Sequence, residues 1–171
     1  MKADMTKTLF DTDAPHPEPG SLTAFAGNML DRQAESRADD CVEKAFAIEG
    51  THIYAFSGNK LILKHDDRVL DPLFSAYEIS DMQPDFDNAV LLGYRENGEP
   101  RVAIPVDVPA EELAGQYKPT DARALYREAL IDAELQGEVA HAISLLSWNA
   151  ANRFFGKSGS STEMKIGGYK R

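Results

Sequence analysis

The sequence predicts an α+β domain with one mainly antiparallel sheet packed against helices and a long helix near its end. Two observations indicate this class: paired runs of β-favouring residues in the middle of the chain, and helical spacing of apolar residues in its last third. A third is the lack of a repeated strand–helix–strand rhythm and of glycine-rich phosphate-binding motifs, which argues against a Rossmann-type dinucleotide fold. A chain of 171 residues is long enough to bury one core without disulfides.

Four β-rich runs form two pairs: residues 52–56 with 60–64, and residues 88–94 with 100–106. Ser57-Gly58-Asn59 and Asn97-Gly98 lie between the members of each pair, and Gly and Asn tolerate the positive φ of tight hairpin turns. Pro105 indicates an edge position or a strand end, because proline has no N–H to donate. Residues 69–73 and 77–79 are expected to add short strands.

Three helices are predicted. The first covers residues 38–48 and is ended by Gly50, and the second covers residues 122–130 with an N-cap at Pro119-Thr120-Asp121. The third runs over residues 132–152, where apolar residues recur on one stripe: Leu135, Val139, Ala142, Ile143, Leu146 and Ala150. The spacing predicts that this stripe faces the core.

Leu145 and Trp148 lie off that stripe. Either the helix is buried on two sides, or Trp148 covers something that the chain does not contain. Core packing is the commoner outcome for a tryptophan, so burial is the expectation.

The ends of the chain differ from its middle. Residues 1–20 carry prolines at alternate positions and are predicted to be a loosely ordered arm. Residues 21–152 form the expected domain, to which Phe25 and Leu30 attach the segment before the first helix. The last 19 residues, 153–171, form a separate tail.

Charge and cysteine usage restrict the partners and the compartment. The net charge of −10 argues against a nucleic acid or an anionic membrane as main partner, since both would repel the chain. The one cysteine, Cys41, cannot form an internal disulfide and is expected to be a small buried side chain. The chain has no apolar run of membrane-spanning length and no signal peptide, so we expect a cytoplasmic protein.

The tail has the frame of a zinc-binding knuckle without its sulfur atoms. A knuckle needs Cys-x-x-Cys, but Phe155 and Ser158 stand at those two places. A phenyl ring donates no lone pair and a serine hydroxyl is a poor zinc ligand, so no metal site is expected here. Without zinc, the tail is expected to be mobile or to rest on the domain through Phe154 and Phe155.

Five pieces of the chain, taken in order, resemble the amino-terminal part of the NADH pyrophosphatases, which are Nudix hydrolases. The pieces are Phe25-Ala26-Gly27-Asn28-Met29-Leu30-Asp31-Arg32, Leu91-Leu92-Gly93-Tyr94, Leu145-Leu146-Ser147-Trp148, Arg153-Phe154-Phe155-Gly156-Lys157-Ser158-Gly159 and Gly167-Gly168-Tyr169-Lys170-Arg171. The resemblance covers most of residues 24–171.

The resemblance implies a fold and a set of partners. In this family a rudimentary Nudix-like domain is followed by a four-cysteine zinc ribbon and a catalytic Nudix domain, which cuts NADH into NMNH and AMP. The chain resembles the first part and half of the second. Zinc and Mg²⁺ or Mn²⁺ belong to the full-length family, and no cofactor is expected in this chain. A catalytic Nudix domain, if the natural chain continues, and a second copy of the chain are the implied partners.

The family's catalytic motif is not found in this sequence. The nearest string runs from Arg127 to Glu134, but Ile131 replaces the first glutamate of the required pair and Glu134 stands where glycine is needed. A solvated helix face explains these charges better than a metal site. His65-Asp66-Asp67 is a weak candidate for a metal or base cluster, and a polar turn is its commoner explanation.

Three functions therefore remain open. The first is a non-catalytic amino-terminal region of an NAD(H) diphosphatase, with an architectural or dimer-supporting role. The second is a stand-alone module that binds a protein or nucleotide through the sheet and the face around Trp148. The third and weakest is a hydrolase with its own site near His65, Asp66 and Asp67.

Overall fold

The computed structural model describes residue 23, residues 25–66 and residues 69–171. The predicted arm at residues 1–20 and Asp67 lie outside the described residues. The strands are β1 (His52–Ser57), β2 (Lys60–Asp66), β3 (Val69–Asp71), β4 (Val90–Tyr94), β5 (Pro100–Pro105) and β6 (Lys118–Asp121). The helices are α1 (Cys41–Phe46), α2 (Ala110–Leu113), α3 (Ala122–Arg127) and α4 (Ala133–Ala151).

The strands form one six-stranded sheet in the order β3-β2-β1-β5-β4, with β6 also paired to β2. Four of the pairings are antiparallel, and β1 and β5 at the centre are parallel. The predicted α+β class with a mainly antiparallel sheet and a long late helix is confirmed.

Both predicted hairpins are present. Ser57 pairs with Lys60, which leaves Gly58 and Asn59 as a two-residue loop with Gly58 at φ 59°. In the second hairpin Gly98 has φ 85°, a conformation that glycine adopts at no steric cost. Pro105 is the last residue of β5, which is the predicted strand end.

The strands place their side chains alternately on two faces, and each face has its own core. Ile53 and Ala55 of β1 belong to the cluster that contains Cys41 and Ala45 of α1. Tyr54 and Phe56 belong to the opposite cluster, which the long helix covers with Val139 and Ala142. The sheet is therefore a central layer between α1 on one face and α3 with α4 on the other.

Four expectations about local structure need correction. Residues 77–79 form a turn and not a strand, because Glu78 accepts hydrogen bonds from the N–H and the hydroxyl of Ser75. The first two helices are shorter than predicted and end at Phe46 and Arg127. Trp148 is 41% exposed, so it is not a core residue.

The strand β6 was not predicted from the sequence, whereas the N-cap of α3 at its end was. Asp121 accepts a hydrogen bond from the N–H of Ala124 at 2.8 Å, which is the predicted N-cap of α3. The preceding residues pair with β2, with Pro119 opposite Ile62. Proline is tolerated there because β6 lies at the outside of the sheet.

Candidate functional site

The outer edge of β4 is covered by side chains. The Arg37 guanidinium donates from Nη1 to the carbonyl of Leu91 at 2.5 Å and from Nη2 to the carbonyl of Leu92 at 3.0 Å. Its Nε donates to the carbonyl of Arg32 at 2.6 Å. Because the planar fork of an arginine can satisfy several acceptors at once, one side chain closes this edge against pairing with another strand.

The segment before α1 completes the same edge. Asp31 and Tyr94 exchange two backbone hydrogen bonds of 2.9 Å, with Gly93 lying beside Asp31. A Cβ on Gly93 would come within 3.0 Å of the carbonyl oxygen of Asp31, so only glycine fits this approach. Leu30 is buried and Phe25 packs against Tyr126, which confirms that these two residues attach the segment.

The tail is held against the edge by Tyr169 and two glycines. The Tyr169 ring lies 4.1 Å from the guanidinium carbon of Arg37, in cation–π geometry. Gly167 and Gly168 are buried with φ of 66° and 95°, and a Cβ on either would approach Cys41 or Val90 to less than 3.0 Å. The backbone of the tail therefore lies directly on α1 and β4.

His141 of α4 connects the tail to the segment before α1. Its Nε2 lies 2.5 Å from the Tyr169 hydroxyl and its Nδ1 lies 3.3 Å from Nδ2 of Asn28. Since Oδ1 of Asn28 accepts from the N–H of Leu30, its amide nitrogen faces the ring and Nδ1 must accept. The neutral ring then donates from Nε2 to Tyr169, whose hydroxyl donates to the carbonyl of Leu92 at 3.3 Å.

Burial and the neighbouring charges of Arg32 and Arg37 lower the pKa of His141 to about 4 from its ordinary 6.5. A proton on Nδ1 would also face the Asn28 amide, which is itself a donor. The ring is therefore neutral at pH 7, and its hydrogen bonds hold without a charge.

This histidine makes the stability of the domain depend on pH. The pKa of His141 is lower in the folded chain than in the unfolded chain, so as the pH falls the unfolded chain binds the extra proton at a higher pH. The stability of the domain therefore decreases as the pH is lowered from 6.5 to about 4. Because the ring is only partly buried, we expect a loss of about 1–2 kcal/mol over this range. Urea unfolding at several pH values would measure it. The His141→Gln variant should lose about 1–2 kcal/mol less unfolding free energy than the wild-type chain over the same pH range. If the two plots of unfolding free energy against pH were parallel, the assignment of this pH dependence to His141 would be wrong.

We call this convergence the β4 junction, and its members are Asn28, Asp31, Arg37, Leu91, Leu92, Gly93, Tyr94, His141 and Tyr169. The β4 junction joins the segment before α1, the sheet, the long helix α4 and the tail. Three of the five pieces that carry the family resemblance meet here. Sequence reasoning gave Arg37 no role, and no local signal could have placed it at this edge, since the two β4 carbonyls that it binds lie 54 and 55 residues away.

A second cluster is buried between the sheet and α4. Glu138 is fully buried, and its carboxylate accepts from the Tyr54 hydroxyl at 2.6 Å and from Nη1 of Arg95 at 3.0 Å. Nε of Arg101 lies 3.6 Å away without a hydrogen-bond partner, and Glu134 pairs with Arg95 nearer the surface. We call these five residues the buried ion cluster.

The charges of the cluster compensate one another, because Arg95 and Arg101 pair with Glu134 and Glu138. Burial and the neighbouring Glu138 carboxylate raise the pKa of Tyr54, which keeps it a neutral donor. The depression above the cluster, of about 500 Å³, is lined by Met29, Asp31, Tyr94, Arg95, Glu96 and Glu134. Because Arg95 and Glu134 pair with each other, Asp31 and Glu96 leave this surface acidic, and such a surface repels a diphosphate.

The catalytic candidates from the sequence lie in two separate parts of the fold, the α3–α4 connection and the end of β2. The string from Arg127 to Glu134 does not lie on one helix, since α3 ends at Arg127 and α4 begins at Ala133, with Ala129 between them at φ 47°. His65 is exposed in β2 opposite Leu70, in the β2–β3 hairpin. Across the described part of the chain, no three or more His, Cys, Asp or Glu side chains are grouped to hold a metal ion.

The knuckle frame of the tail adopts a tight turn, which we call the finger and define as residues 153–161. The N–H of Phe155 donates to the carbonyl of Ser160 at 2.8 Å, and the N–H of Gly159 donates back to the carbonyl of Phe155 at 2.8 Å. The Ser158 hydroxyl is 2.9 Å from that of Ser160. Phe154 and Phe155 are 66% and 58% exposed, so the expectation that they rest on the domain is wrong.

A comparison with known families agrees with the fold. The family described as NUDIX-like, the NADH pyrophosphatase-like rudimentary NUDIX domain, matches residues 50–148. The match begins just before β1, ends within α4 and contains the whole sheet, while the finger lies outside it. No curated protein matches the chain significantly. None of the helices in the described segments has the length and apolar character needed to cross a membrane.

The matched residues make up more than half of the chain and coincide with its sheet and most of its long helix. The resemblance drawn from the sequence is confirmed for the domain, and the likeness of the tail to a zinc ribbon stays a prediction. The chain belongs to the family of NADH pyrophosphatase-like rudimentary NUDIX domains.

Proposed function

We propose that this chain is a non-catalytic supporting domain, equivalent to the amino-terminal region of an NAD(H) diphosphatase. Its role is to hold a catalytic Nudix domain in place. The observation that carries the proposal is the β4 junction, in which segments far apart in sequence are used to fix the tail to the sheet. The tail is thereby presented in a defined orientation by Tyr169 and His141.

The chemistry of the charged residues supports the same role. Arg37, Arg95 and Arg101, which would be the natural ligands of a diphosphate, are engaged by carbonyl groups or carboxylates of the chain itself. These hydrogen bonds and ion pairs stabilise the fold. We therefore expect zinc and Mg²⁺ or Mn²⁺ to belong to the other parts of a full-length diphosphatase.

The proposal predicts that the purified chain does not cleave NADH. NADH would be incubated with the chain and Mg²⁺ or Mn²⁺, and NMNH and AMP would be separated by chromatography. We expect no product above the protein-free control, while an active NADH diphosphatase under the same conditions gives both. Metal-dependent turnover that is lost in Asp66→Ala would overturn the proposal and favour a separate hydrolytic site.

The supporting role is tested by fusing a catalytic Nudix domain after Arg171. We expect the catalytic domain to unfold at a higher temperature in the fusion than alone. Tyr169→Ala should reduce this gain, because the tail loses its attachment to His141 and Arg37. An unchanged unfolding temperature in the fusion would contradict the supporting role.

A groove along α4 favours the alternative function, a stand-alone binding module. It has a volume of about 330 Å³ and is lined by Phe56, Gly58, Asn59, Pro105, Ile143, Leu146, Ser147 and Ala150. Apolar grooves of this kind bind partners or ligands. This function would be supported by saturable binding of a defined partner without any NADH hydrolysis.

A further inference from the structure

The tail lies on the domain with little apolar burial. Gly167 and Gly168 are the only buried residues among residues 153–171, and a glycine has no side chain to bury. The attachment of the tail therefore depends mainly on polar contacts, because burial of apolar area is the main source of packing stability. A segment with few buried apolar contacts opens locally at a lower free energy than the core does.

The segment before α1, on the other side of His141, is attached more firmly. Leu30 of this segment is buried, and Asp31 exchanges two backbone hydrogen bonds with Tyr94. Gly27 and Gly137 bring the backbone of the segment directly against α4. A disturbance at His141 is therefore expected to loosen the tail before it loosens this segment.

The hydrogen bonds of His141 require a neutral ring. Nδ1 accepts from the Asn28 amide at 3.3 Å, and Nε2 donates to the Tyr169 hydroxyl at 2.5 Å. A second proton would turn Nδ1 into a donor that faces the N–H of Asn28, which is also a donor. Protonation therefore breaks the contact that joins the tail to α4 and to the segment before α1.

The charged groups around the ring also oppose a second proton. The segment before α1 places Arg32 and Arg37 near it, the tail places Tyr169 against it, and β4 presents backbone carbonyls. On α4 itself, the carboxylate of Glu138 is already engaged in the buried ion cluster. No carboxylate in the described part of the chain forms an ion pair with His141, so a charge on the ring has no compensating anion.

The tail covers the one cysteine of the chain. A Cβ on Gly167 would approach Sγ of Cys41 to less than 3.0 Å, so the backbone of the tail lies directly on the thiol. Cys41 is 7% exposed, and burial raises the pKa of its thiol. Opening of the tail uncovers this side chain while α1 and the sheet stay in place.

We propose that residues 162–171 form an acid-released strap, which leaves β4 and uncovers Cys41 when His141 is protonated, while the rest of the domain stays folded. In the closed form the neutral ring holds Tyr169. In the open form water solvates the charged ring, so the proton favours opening. The strap involves only contacts within this chain and does not depend on the proposed supporting role.

Cys41 reports the opening without an added label. The full chain is treated with dithiodipyridine, which forms a mixed disulfide with the thiol and releases thiopyridone. Each rate is divided by that of N-acetylcysteine at the same pH, because the thiolate fraction changes with pH. We expect this ratio to rise about 10-fold from pH 7 to pH 5, since the open form binds the proton that the closed form excludes. A constant ratio would overturn the proposal.

Two variants test whether His141 is the trigger. Glutamine in His141→Gln can still accept from Asn28 and donate to Tyr169 but does not titrate, so the ratio should change by less than about 2-fold. Asp39→Asn removes the exposed carboxylate that lies 3.7 Å from Nζ of Lys165 in the strap, and it should keep the full rise. A full rise in His141→Gln, or its loss in Asp39→Asn, would show that another group controls the opening.

A second buried thiol separates opening of the strap from unfolding of the whole domain. Ser57 is 8% exposed, close to the value for Cys41, and its hydroxyl donates to the carbonyl of Val108 and not to the tail. In a Cys41→Ala chain that carries Ser57→Cys, the new thiol should stay protected from pH 7 to pH 5. If both thiols became reactive together, the whole domain would be unfolding and the proposal would be wrong.

Tyr169→Phe tests the attachment itself. This change removes the hydroxyl that binds His141 and the carbonyl of Leu92, and it keeps the ring beside Arg37. Cys41 should react about 2–10-fold faster than in the wild-type chain at pH 7, the effect expected for one hydrogen bond. An unchanged rate would show that this hydroxyl does not hold the strap closed, which contradicts the proposal.

Discussion

Replacing Glu138 by alanine is expected to lower the free energy of unfolding by about 3–5 kcal/mol, the cost of leaving a buried opposite charge without its partner. Glu138 is fully buried, and Arg101 beside it is only 5% exposed. Without the carboxylate, the Arg101 Nε that already lacks a hydrogen bond loses its nearest anion. The Tyr54 hydroxyl also loses the acceptor to which it donates at 2.6 Å.

Glu134→Ala is the matched control for this prediction. Glu134 lies one helical turn earlier and pairs with the same Arg95, but its side chain is 38% exposed. Partly exposed ion pairs contribute about 0–1 kcal/mol, so the control should be little affected. Urea unfolding of both variants and of Glu138→Gln, which keeps an acceptor for Tyr54, would separate charge from hydrogen bonding. Equal effects of Glu134→Ala and Glu138→Ala would contradict the importance of the buried Glu138 carboxylate.

Gly137→Ala is expected to destabilise the domain by about 2 kcal/mol, although alanine is the better helix former by about 1 kcal/mol. Gly137 lies inside α4 and faces the segment before α1. A Cβ there would approach the backbone nitrogen of Asn28 to less than 3.0 Å, and the neighbour is backbone that cannot move aside like a flexible side chain. Gly27 makes a similarly close approach to the backbone of Ala133.

The control for Gly137→Ala is Gly115→Ala. Gly115 has a negative φ and nothing within 4 Å of where a Cβ would lie, so alanine should change the stability by about 0.5 kcal/mol at most. Chemical unfolding measures both. If Gly137→Ala stabilised the domain, the helix preference would outweigh the clash, and the close packing of α4 on the first segment would be in doubt.

The parts of the fold that local sequence controls could be predicted. The turn at Asn97-Gly98 joins β4 and β5 as expected, because Gly98 supplies the positive φ that a hairpin turn requires. The continuous apolar run at residues 53–56 forms a strand that is buried on both faces. Asp121 caps α3 because its side chain reaches the N–H of Ala124 within one turn.

The parts of the fold that distant contacts control could not be predicted from the sequence. The strand β6 is polar and contains Pro119, and it pairs only because β2 offers it an edge 55 to 61 residues away in sequence. Trp148 is 41% exposed because it lies off the stripe through which Val139 and Ala142 of α4 face the core. Apolar character alone does not show which side of a helix finds room in a core.

The sequence by itself determined the class of the domain, its two main hairpins, its long last helix and its family. Each of these depends on residues close together in the chain or on an ordered set of short motifs. Only the tertiary structure decided that Arg37, Leu92, His141 and Tyr169 meet at one sheet edge, and that Glu138 lies between Arg95 and Arg101. The physical reason is that hydrogen bonds and ion pairs depend on distances of a few ångströms, which chain folding sets across separations of 113 residues, as between Asn28 and His141.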